Sequence, residues 1–191
     1  MKSKDRRGEQ GELIVAKAIN EDKDEHYLIN NLILMGNDNV SHQFDHILIR
    51  HNGVFVIETK HYYGDIIGSK DDLYWSKTYL KHRKTVKDTF INPLKQNNAH
   101  IRFLRKVLGK DIPLFNFVVF VNNNVTNLGI YSVCNLNQVL IRISGCEGDK
   151  TLTSLEMQKI NHTLLLLEAD IQTEDHVKNI KAMVKRRKDS R

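Results

Sequence analysis

The sequence has few prolines, few cysteines and no long hydrophobic run. Only two prolines and ten glycines occur in 191 residues, which argues against a disordered, low-complexity chain. The longest purely apolar runs, at 117–121 and 164–167, are far below the roughly 18 residues of a membrane-spanning helix. The N-terminal segment is charged and has no apolar core, so no secretory signal peptide is expected. We therefore expect a cytoplasmic protein with no membrane partner.

Cysteine is equally scarce, and acidic residues are outnumbered. Cys134 and Cys146 form no CxxC motif and are expected to be reduced structural thiols. With 29 basic and 23 acidic residues the net charge is +6, which is compatible with nucleic acid or another polyanion as partner. The hydrophobic fraction of 40% is enough for a core, and the length suits one domain.

Hydrophobic spacing and turn residues predict an α/β fold. Helices are expected at 8–20, where Leu13, Ala16 and Ile19 are helically spaced, at 92–108 after an Asn-Pro start, and at 151–169. Strands are expected at 26–34, at two places within 43–60, and at 65–68, 73–80, 114–121 and 139–143. The basic segment 77–87 is expected to continue mainly as a loop, and 171–191 as a basic C-terminal helix or tail.

The stretch from Gln43 to Lys60 carries charges that packing does not explain. It predicts two apolar strands joined by a turn at His51-Asn52-Gly53. Asp45 lies near the start of the first strand, while Glu58 and Lys60 end the second and share one face. Unpaired charge next to core residues is costly, and a bound metal ion would remove that cost.

These residue types suit phosphodiester hydrolysis. Mg²⁺ prefers oxygen ligands and keeps several waters, so two or three carboxylates are sufficient. Asp45 and Glu58 would bridge such an ion from neighbouring strands, with the carbonyl of Thr59 as a further ligand and Mn²⁺ as a substitute metal. The metal would activate water and relieve charge on the phosphoryl oxygens. Lys60 would hold the attacking water or stabilise the transition state, and it limits the repulsion between the carboxylates.

An Asp on one strand and a Glu-x-Lys on the next, between two helices, resembles the PD-(D/E)XK nuclease superfamily. More narrowly, the chain resembles the nuclease-related domain, NERD, over about residues 8–121. The matching pieces are Gly11-Glu12, Gln43-Phe44-Asp45-His46, Gly53–Lys60, Gly64–Gly68 followed by Trp75, and Asn92-Pro93-Leu94 with Gln96 and His100. The resemblance implies a restriction-endonuclease-like core, a central mixed β-sheet flanked by helices, within a nuclease-like domain at 1–170.

The resemblance also implies roles for individual residues. Asp45 and Glu58 match the metal-binding acids, and Lys60 matches the catalytic lysine. Glu12 matches an acid that this superfamily often adds from the first helix. Gln96 matches a glutamine that contacts metal-bound water or the scissile phosphate. Phe44 stands where the superfamily has proline and where the family usually has an aliphatic residue. Many nucleases of this fold dimerise to cut both strands, so a homodimer is one expected state.

Other interpretations remain open at this stage. The three charges of the hairpin could form a surface salt-bridge cluster, worth only about 0–1 kcal/mol per exposed pair. A zinc site is conceivable from residues that surround the motif, namely His42, Asp45, His46 and His61, although Asp45 and His46 point to opposite faces of a strand. The fold could also serve as a nucleic-acid-binding module with weak or no catalysis, or as a protein-interaction domain. DNA is the more strongly expected partner, ahead of RNA.

Aromatic and basic residues after the motif suggest a nucleic-acid surface. Tyrosines and the single tryptophan, Trp75, could stack on bases while neighbouring lysines meet phosphates. Packing of Trp75 against a sheet is the competing interpretation. The basic residues of 171–191 could add non-specific DNA affinity or form a solvated end.

Overall fold

A computed structural model describes residues 3–36, 40–122, 125 and 128–168. The helices are α1 Ser3–Asn20, α2 Pro93–Leu108, α3 Val139–Ser144 and α4 Ser154–Leu166, with a 3-10 turn at Leu136–Gln138. The strands are β1 His26–Met35, β2 Ser41–Arg50, β3 Gly53–Lys60, β4 Asp65–Ile67, β5 Tyr74–Lys81, β6 Lys84–Ile91, β7 Leu114–Phe120 and β8 Val133–Asn135. The predicted C-terminal helix or tail at 171–191 lies outside the described residues. None of the helices described is both long and apolar enough to cross a bilayer.

A five-stranded mixed sheet forms the centre, in the order β1-β2-β3-β7-β8. Strands β1, β2 and β3 are antiparallel neighbours, whereas β3, β7 and β8 are parallel. Parallel pairing of β3 with β7 requires a long crossover, and α2 is part of it. The expected restriction-endonuclease-like architecture, a central mixed sheet flanked by helices, is confirmed.

Strand β3 is buried on both faces and divides the core into two halves. Val54 and Val56 pack on the side of α2 and α4. Phe55 and Ile57 pack on the opposite side, against α1 and α3. Because successive side chains of a strand point to opposite faces, one eight-residue strand supplies both cores.

Helix α1 is present as expected, but its buried stripe differs from the predicted one. Val15 and Ile19 are fully buried, whereas Leu13 is 72% exposed. The stripe continues N-terminally to Gly11, where an added Cβ would lie 2.8 Å from the Cβ of His61. Close approach to the chain just after β3 therefore selects the 11-15-19 stripe, and Leu13, although helically spaced with Ile19, lies outside it.

The basic segment expected to be a loop is instead half of a β-hairpin. Strands β5 and β6 pair along their whole length and, with β4, form a separate three-stranded sheet. The turn between them consists of His82 and Arg83, both with positive φ (50° and 63°). Such turns usually carry Asn-Gly, so His-Arg gave no sequence signal for a hairpin.

The late strand predicted at 139–143 was also wrong, because this segment is helix α3. Val139 and Ile143, one helical turn apart, are both buried in the core on the α1 side. The segment 139–143 has four aliphatic residues and one arginine, a pattern that fits a strand or a buried helical turn equally well. The true strand, β8, lies earlier and has only three residues, which is too short for a periodic signal.

Helix α2 begins as the Asn-Pro pair predicts. Asn92 is fully buried, and its side-chain oxygen accepts a hydrogen bond from the Leu94 amide at 2.9 Å. Its side-chain amide donates to three carbonyls of the preceding loop, those of Ser69, Lys70 and Asp72. Asn92 thus caps the helix and fastens the loop before β5. Gly109 ends the helix, also as expected.

We expect Asn92→Ala to lower the free energy of unfolding by about 2–4 kcal/mol. Loss of a cap costs about 1 kcal/mol, and carbonyls left without a partner in the interior add to it. Urea unfolding monitored by Trp75 fluorescence measures the change, with the exposed Lys95→Ala in the same helix as control. A loss below about 1 kcal/mol for Asn92→Ala would contradict this role.

Candidate active site

The site forms where β2 and β3 part. Their pairing extends only as far as His46 opposite Ile57, while β2 continues to pair with β1 beyond that point. The next backbone amide on that side of β3 is that of Thr59. It donates to the carboxylate of Asp45 at 2.8 Å instead of to a strand carbonyl. The parting of the two strands therefore places Asp45 against the end of β3.

Glu58 is the centre of the polar contacts at this end of β3. It is only 5% exposed, and its Oε1 accepts hydrogen bonds from Lys60 Nζ at 2.5 Å and from Gln96 Nε2 at 2.8 Å. Lys60 also approaches the amide oxygen of Gln96 at 3.5 Å. Lys60 and Glu58 share one face of β3, as the spacing predicts, and α2 brings Gln96 to them.

Helix α2 is held at this position by the residue next to Gln96. Asn97 is buried, and its side-chain amide donates to the carbonyls of Val56 and Phe117 and to the side chain of Asn116. These contacts tie the first turns of α2 to β3 and β7. The backbone of Gln96 is consequently fixed at a position from which its side chain reaches Glu58.

Glu12 approaches from the other side, on α1. The pKa of Glu12 is raised by burial and further by the negative charges of Glu58 and Glu9. This coupling places Glu12 within electrostatic range of the β3 residues. The structure therefore brings together all five residues singled out in the sequence, Glu12, Asp45, Glu58, Lys60 and Gln96, from four different elements.

His46 is a supporting residue of the site. Burial lowers its pKa to about 4, so the ring is neutral at pH 7. Nδ1 lies 2.7 Å from the side-chain oxygen of Asn30, and Nε2 lies 3.0 Å from the hydroxyl of Thr59. A neutral ring satisfies both contacts if Nδ1 donates to Asn30 and Nε2 accepts from Thr59. His46 thus steadies Thr59, whose amide holds Asp45; no sequence signal pointed to Asn30.

The histidines considered for a zinc site do not converge. His42 stacks on Phe103 with ring centroids 4.4 Å apart, and His61 bonds to the carbonyl of Arg7 at 3.0 Å. The two ring nitrogens of His46 contact Asn30 and Thr59. The zinc interpretation fails for the reason given by strand alternation.

Trp75 packs in the core and does not form a base-stacking surface. It is 1% exposed, and its indole N–H donates to the Ser69 carbonyl at 2.7 Å. It packs with Phe90 and Ile66 where the second sheet meets β7. The stacking interpretation was wrong for Trp75.

Comparison with known proteins places this arrangement in a family. The model of the nuclease-related domain matches residues 7–121, more than half of the chain. The chain belongs to the NERD family. A protein of Bacillus anthracis, described as uncharacterized, is 29% identical over 190 residues, covering 90% of this chain and 82% of its own length. No solved structure gives a significant match.

All five residues of the site lie within the NERD match. Three of them are acidic and one is basic, although the site is partly buried. The pKa of Asp45 is raised well above its ordinary value by burial and by Glu58, despite the stabilising bond from the Thr59 amide. Burial alone would lower the pKa of Lys60, but the Glu58 carboxylate, Tyr62 and Asp45 outweigh it and the pKa is raised. Three carboxylates thus share one firmly protonated lysine.

The donors of this NERD site match a hard cation in chemistry. Carboxylate oxygens from Asp45 and Glu58 are the ligands that Mg²⁺ prefers. The Thr59 carbonyl is a further oxygen on this side of β3, because the N–H and C=O of one residue in a strand point to the same side and the N–H faces Asp45. Within the ranges the structure describes, no group of three or more His, Cys, Asp or Glu is preassembled around a metal position. Lys60, bound to Glu58, supplies the positive charge there.

We expect Asp45→Asn to raise the melting temperature of the metal-free protein at pH 7. Asparagine keeps an oxygen for the Thr59 amide and removes a charge that burial and Glu58 disfavour. A gain of about 1 kcal/mol would raise Tm by roughly 2–4 °C. Calorimetry in EDTA measures this change, and the exposed Asp71→Asn is the matched control.

The difference in Tm between Asp45→Asn and wild type should depend on pH. The pKa of Asp45 is raised in the folded state, so wild type loses stability relative to Asp45→Asn as pH rises above the ordinary value of 3.8. The difference in Tm should vanish as pH falls toward that value. A constant difference across this range, or a lower Tm for Asp45→Asn at pH 7, would contradict the prediction.

Proposed function

We propose that this NERD protein is a metal-dependent nuclease that hydrolyses phosphodiester bonds in DNA with water as the nucleophile. The observation that carries the proposal is the convergence of Glu12, Asp45 and Glu58 from three elements on the single lysine at the end of β3. Structural ion pairs balance their charges, whereas this group holds an excess of buried acid. Such an excess of buried acid is expected at a functional site that binds a cation.

Asp45, Glu58 and the Thr59 carbonyl would hold Mg²⁺, or Mn²⁺ as a substitute. When bound, the ion would supply charge relief at the phosphoryl oxygens and a more acidic water. The raised pKa of Asp45 supports this assignment, because a cation would remove the penalty on its ionised form.

Lys60 acts as a cation and hydrogen-bond donor in this proposal, and it does not act as a base. Its pKa is raised, so Nζ stays protonated at any physiological pH. While it is hydrogen-bonded to Glu58, Lys60 Nζ can also donate a hydrogen bond to a phosphoryl oxygen, where negative charge grows in the transition state. The proton of the attacking water then needs another acceptor, and the carboxylate of Glu12, with its raised pKa, is suited to this role.

Gln96 is a positioning residue for this pair. Its amide N–H holds Glu58 Oε1, and its carbonyl oxygen faces Lys60 Nζ. One side chain therefore fixes both the carboxylate and the lysine relative to each other. Gln96 also lies on the exposed side of α2, from which a phosphate or a water can reach it.

A nucleic-acid-binding module with weak or no catalysis is the second candidate. It is favoured by the direct contact of Lys60 with Glu58 and by the lack of a preassembled metal group in the described part of the chain. In this alternative the lysine permanently neutralises the acid. DNA binding would then persist without cleavage.

Nuclease assays separate the two candidates. Purified protein is incubated with single-stranded, duplex, nicked and branched DNA and with RNA, in Mg²⁺, Mn²⁺ or EDTA. We expect cleavage only with a divalent ion, and at least about a 10²-fold loss in Glu58→Ala and Lys60→Ala, as for removal of one group that stabilises transition-state charge.

Glu12 has a built-in control on its own helix. Glu9 is exposed and lies one turn earlier. We expect Glu12→Gln to reduce cleavage and Glu9→Gln to leave it near wild type. Binding of DNA by a wild type that cleaves nothing would support the binding module. Equal cleavage by Lys60→Ala and wild type would refute the catalytic proposal.

A further inference from the structure

The hairpin of β5 and β6 has a strong excess of basic over acidic residues. Between Tyr74 and Ile91 lie five basic residues and a single acid, Asp88, which contacts Lys77 at 3.6 Å. The other four, Lys81, Arg83, Lys84 and Lys87, are exposed and make no ion pair within the described residues. A concentrated and uncompensated charge of this kind attracts a polyanion.

The outer part of this hairpin is a free two-stranded ribbon. Strand β4 pairs with β5 only at Ser76–Thr78, so within the described part of the chain no third strand pairs with the ribbon beyond Thr78. The basic turn His82-Arg83 is its tip. Both turn residues adopt positive φ, a conformation that side chains other than Asn and Gly resist. The chain thus keeps basic side chains at a turn where Asn-Gly would fold more easily.

Two lysines at the end of the ribbon repel each other. Lys81 lies directly opposite Lys84 in the β5–β6 register, and like charges in such a pair are destabilising. Neither the turn nor this pair is explained by stability of the hairpin. Both are explained if the ribbon meets phosphates.

The ribbon is anchored next to the proposed active site. Lys77 Nζ lies 4.7 Å from the ring centroid of Tyr62, two residues beyond Lys60. Gly64 has φ +92°, and a Cβ there would come within 2.1 Å of the Thr78 carbonyl. The chain leaving β3 is therefore pressed against β5 where the ribbon begins. Because alternate residues share a face, Lys77, Lys81 and Lys84 lie on the same side as Tyr62.

We propose that this basic ribbon, residues 79–86, holds double-helical DNA by its phosphates and lies in the major groove beside the active site. The B-DNA major groove admits a two-stranded β-ribbon, whereas the major groove of A-form RNA is too narrow. Among the described residues on the face with the lysines, Trp75 is buried, and Lys77 Nζ lies over the rings of Tyr62 and Tyr79, 4.7 and 5.5 Å from their centroids. This arrangement disfavours stacking of single-stranded bases there. This inference rests on the proposed function for its substrate but concerns binding alone.

Binding in EDTA tests the ribbon without any cleavage. Fluorescence anisotropy of a labelled 20-base-pair duplex measures Kd for the full chain over a range of KCl concentrations. We expect Lys81→Gln/Lys84→Gln to weaken binding at least about tenfold near 0.1 M salt, and to reduce the slope of log K against log[salt] by about 0.9 for each phosphate that is no longer neutralised. The matched control is Lys110→Gln/Lys159→Gln, which removes two exposed lysines elsewhere and should stay within about twofold of wild type.

A second variant guards against misfolding. His82→Asn/Arg83→Gly installs the preferred residues of this turn, so its melting temperature should rise while its DNA affinity falls. Equal affinities for the ribbon and control variants would overturn the inference. Equal or greater weakening with an RNA duplex of the same sequence would overturn the choice of DNA. Weakened DNA binding in a protein that never cleaves would refute the nuclease proposal and leave the ribbon standing.

Discussion

The hydrogen bond from the Thr59 amide to the Asp45 carboxylate determines how the site is built. An interior sheet strand must satisfy each backbone amide, and where β2 leaves β3 a carboxylate takes the place of the missing carbonyl. This substitution opens the sheet at one end without leaving a donor unpaired. The opening also explains the buried His46. This residue belongs to the last β2–β3 pair, and its ring contacts the Thr59 hydroxyl. The remaining parts of the site are arranged around this opening.

The charges at the opening constrain one another. Glu58 cannot be buried without a donor, and both Lys60 and Gln96 provide one. That pairing keeps the lysine charged, which excludes it as a base. Burial and the charge of Glu58 raise the pKa values of Asp45 and Glu12, although the charge of the lysine acts in the opposite direction. The same contacts that stabilise the folded protein therefore set the protonation states with which it meets a cation or a phosphate.

The sequence predicted the parts of this protein whose signal is local and repeated. Strand alternation put Glu58 and Lys60 on one face, and Asn92 indicated the start of α2. Prediction failed where long-range packing decided between equal local choices. Gly11 and His61 selected the buried stripe of α1 over Leu13, and burial against α1 made a helix of the β-branched run at Val139. The site residues were named from the motif, but the Asn30–His46–Thr59 chain depends on pairing of β1 with β2, which no motif records.

The missed hairpin connects the two proposals. A His-Arg turn hides the hairpin from sequence analysis because it lacks the residues that make such turns easy, and for the same reason it costs stability to keep. The cost is located at the tip of a ribbon whose base contacts the chain leaving Lys60 through Tyr62 and Gly64. Cations that run from the end of β3 to an exposed tip would align a phosphate backbone at the proposed site before any bond is cut. The turn that breaks the Asn-Gly preference thus marks a segment that we expect to contact a partner.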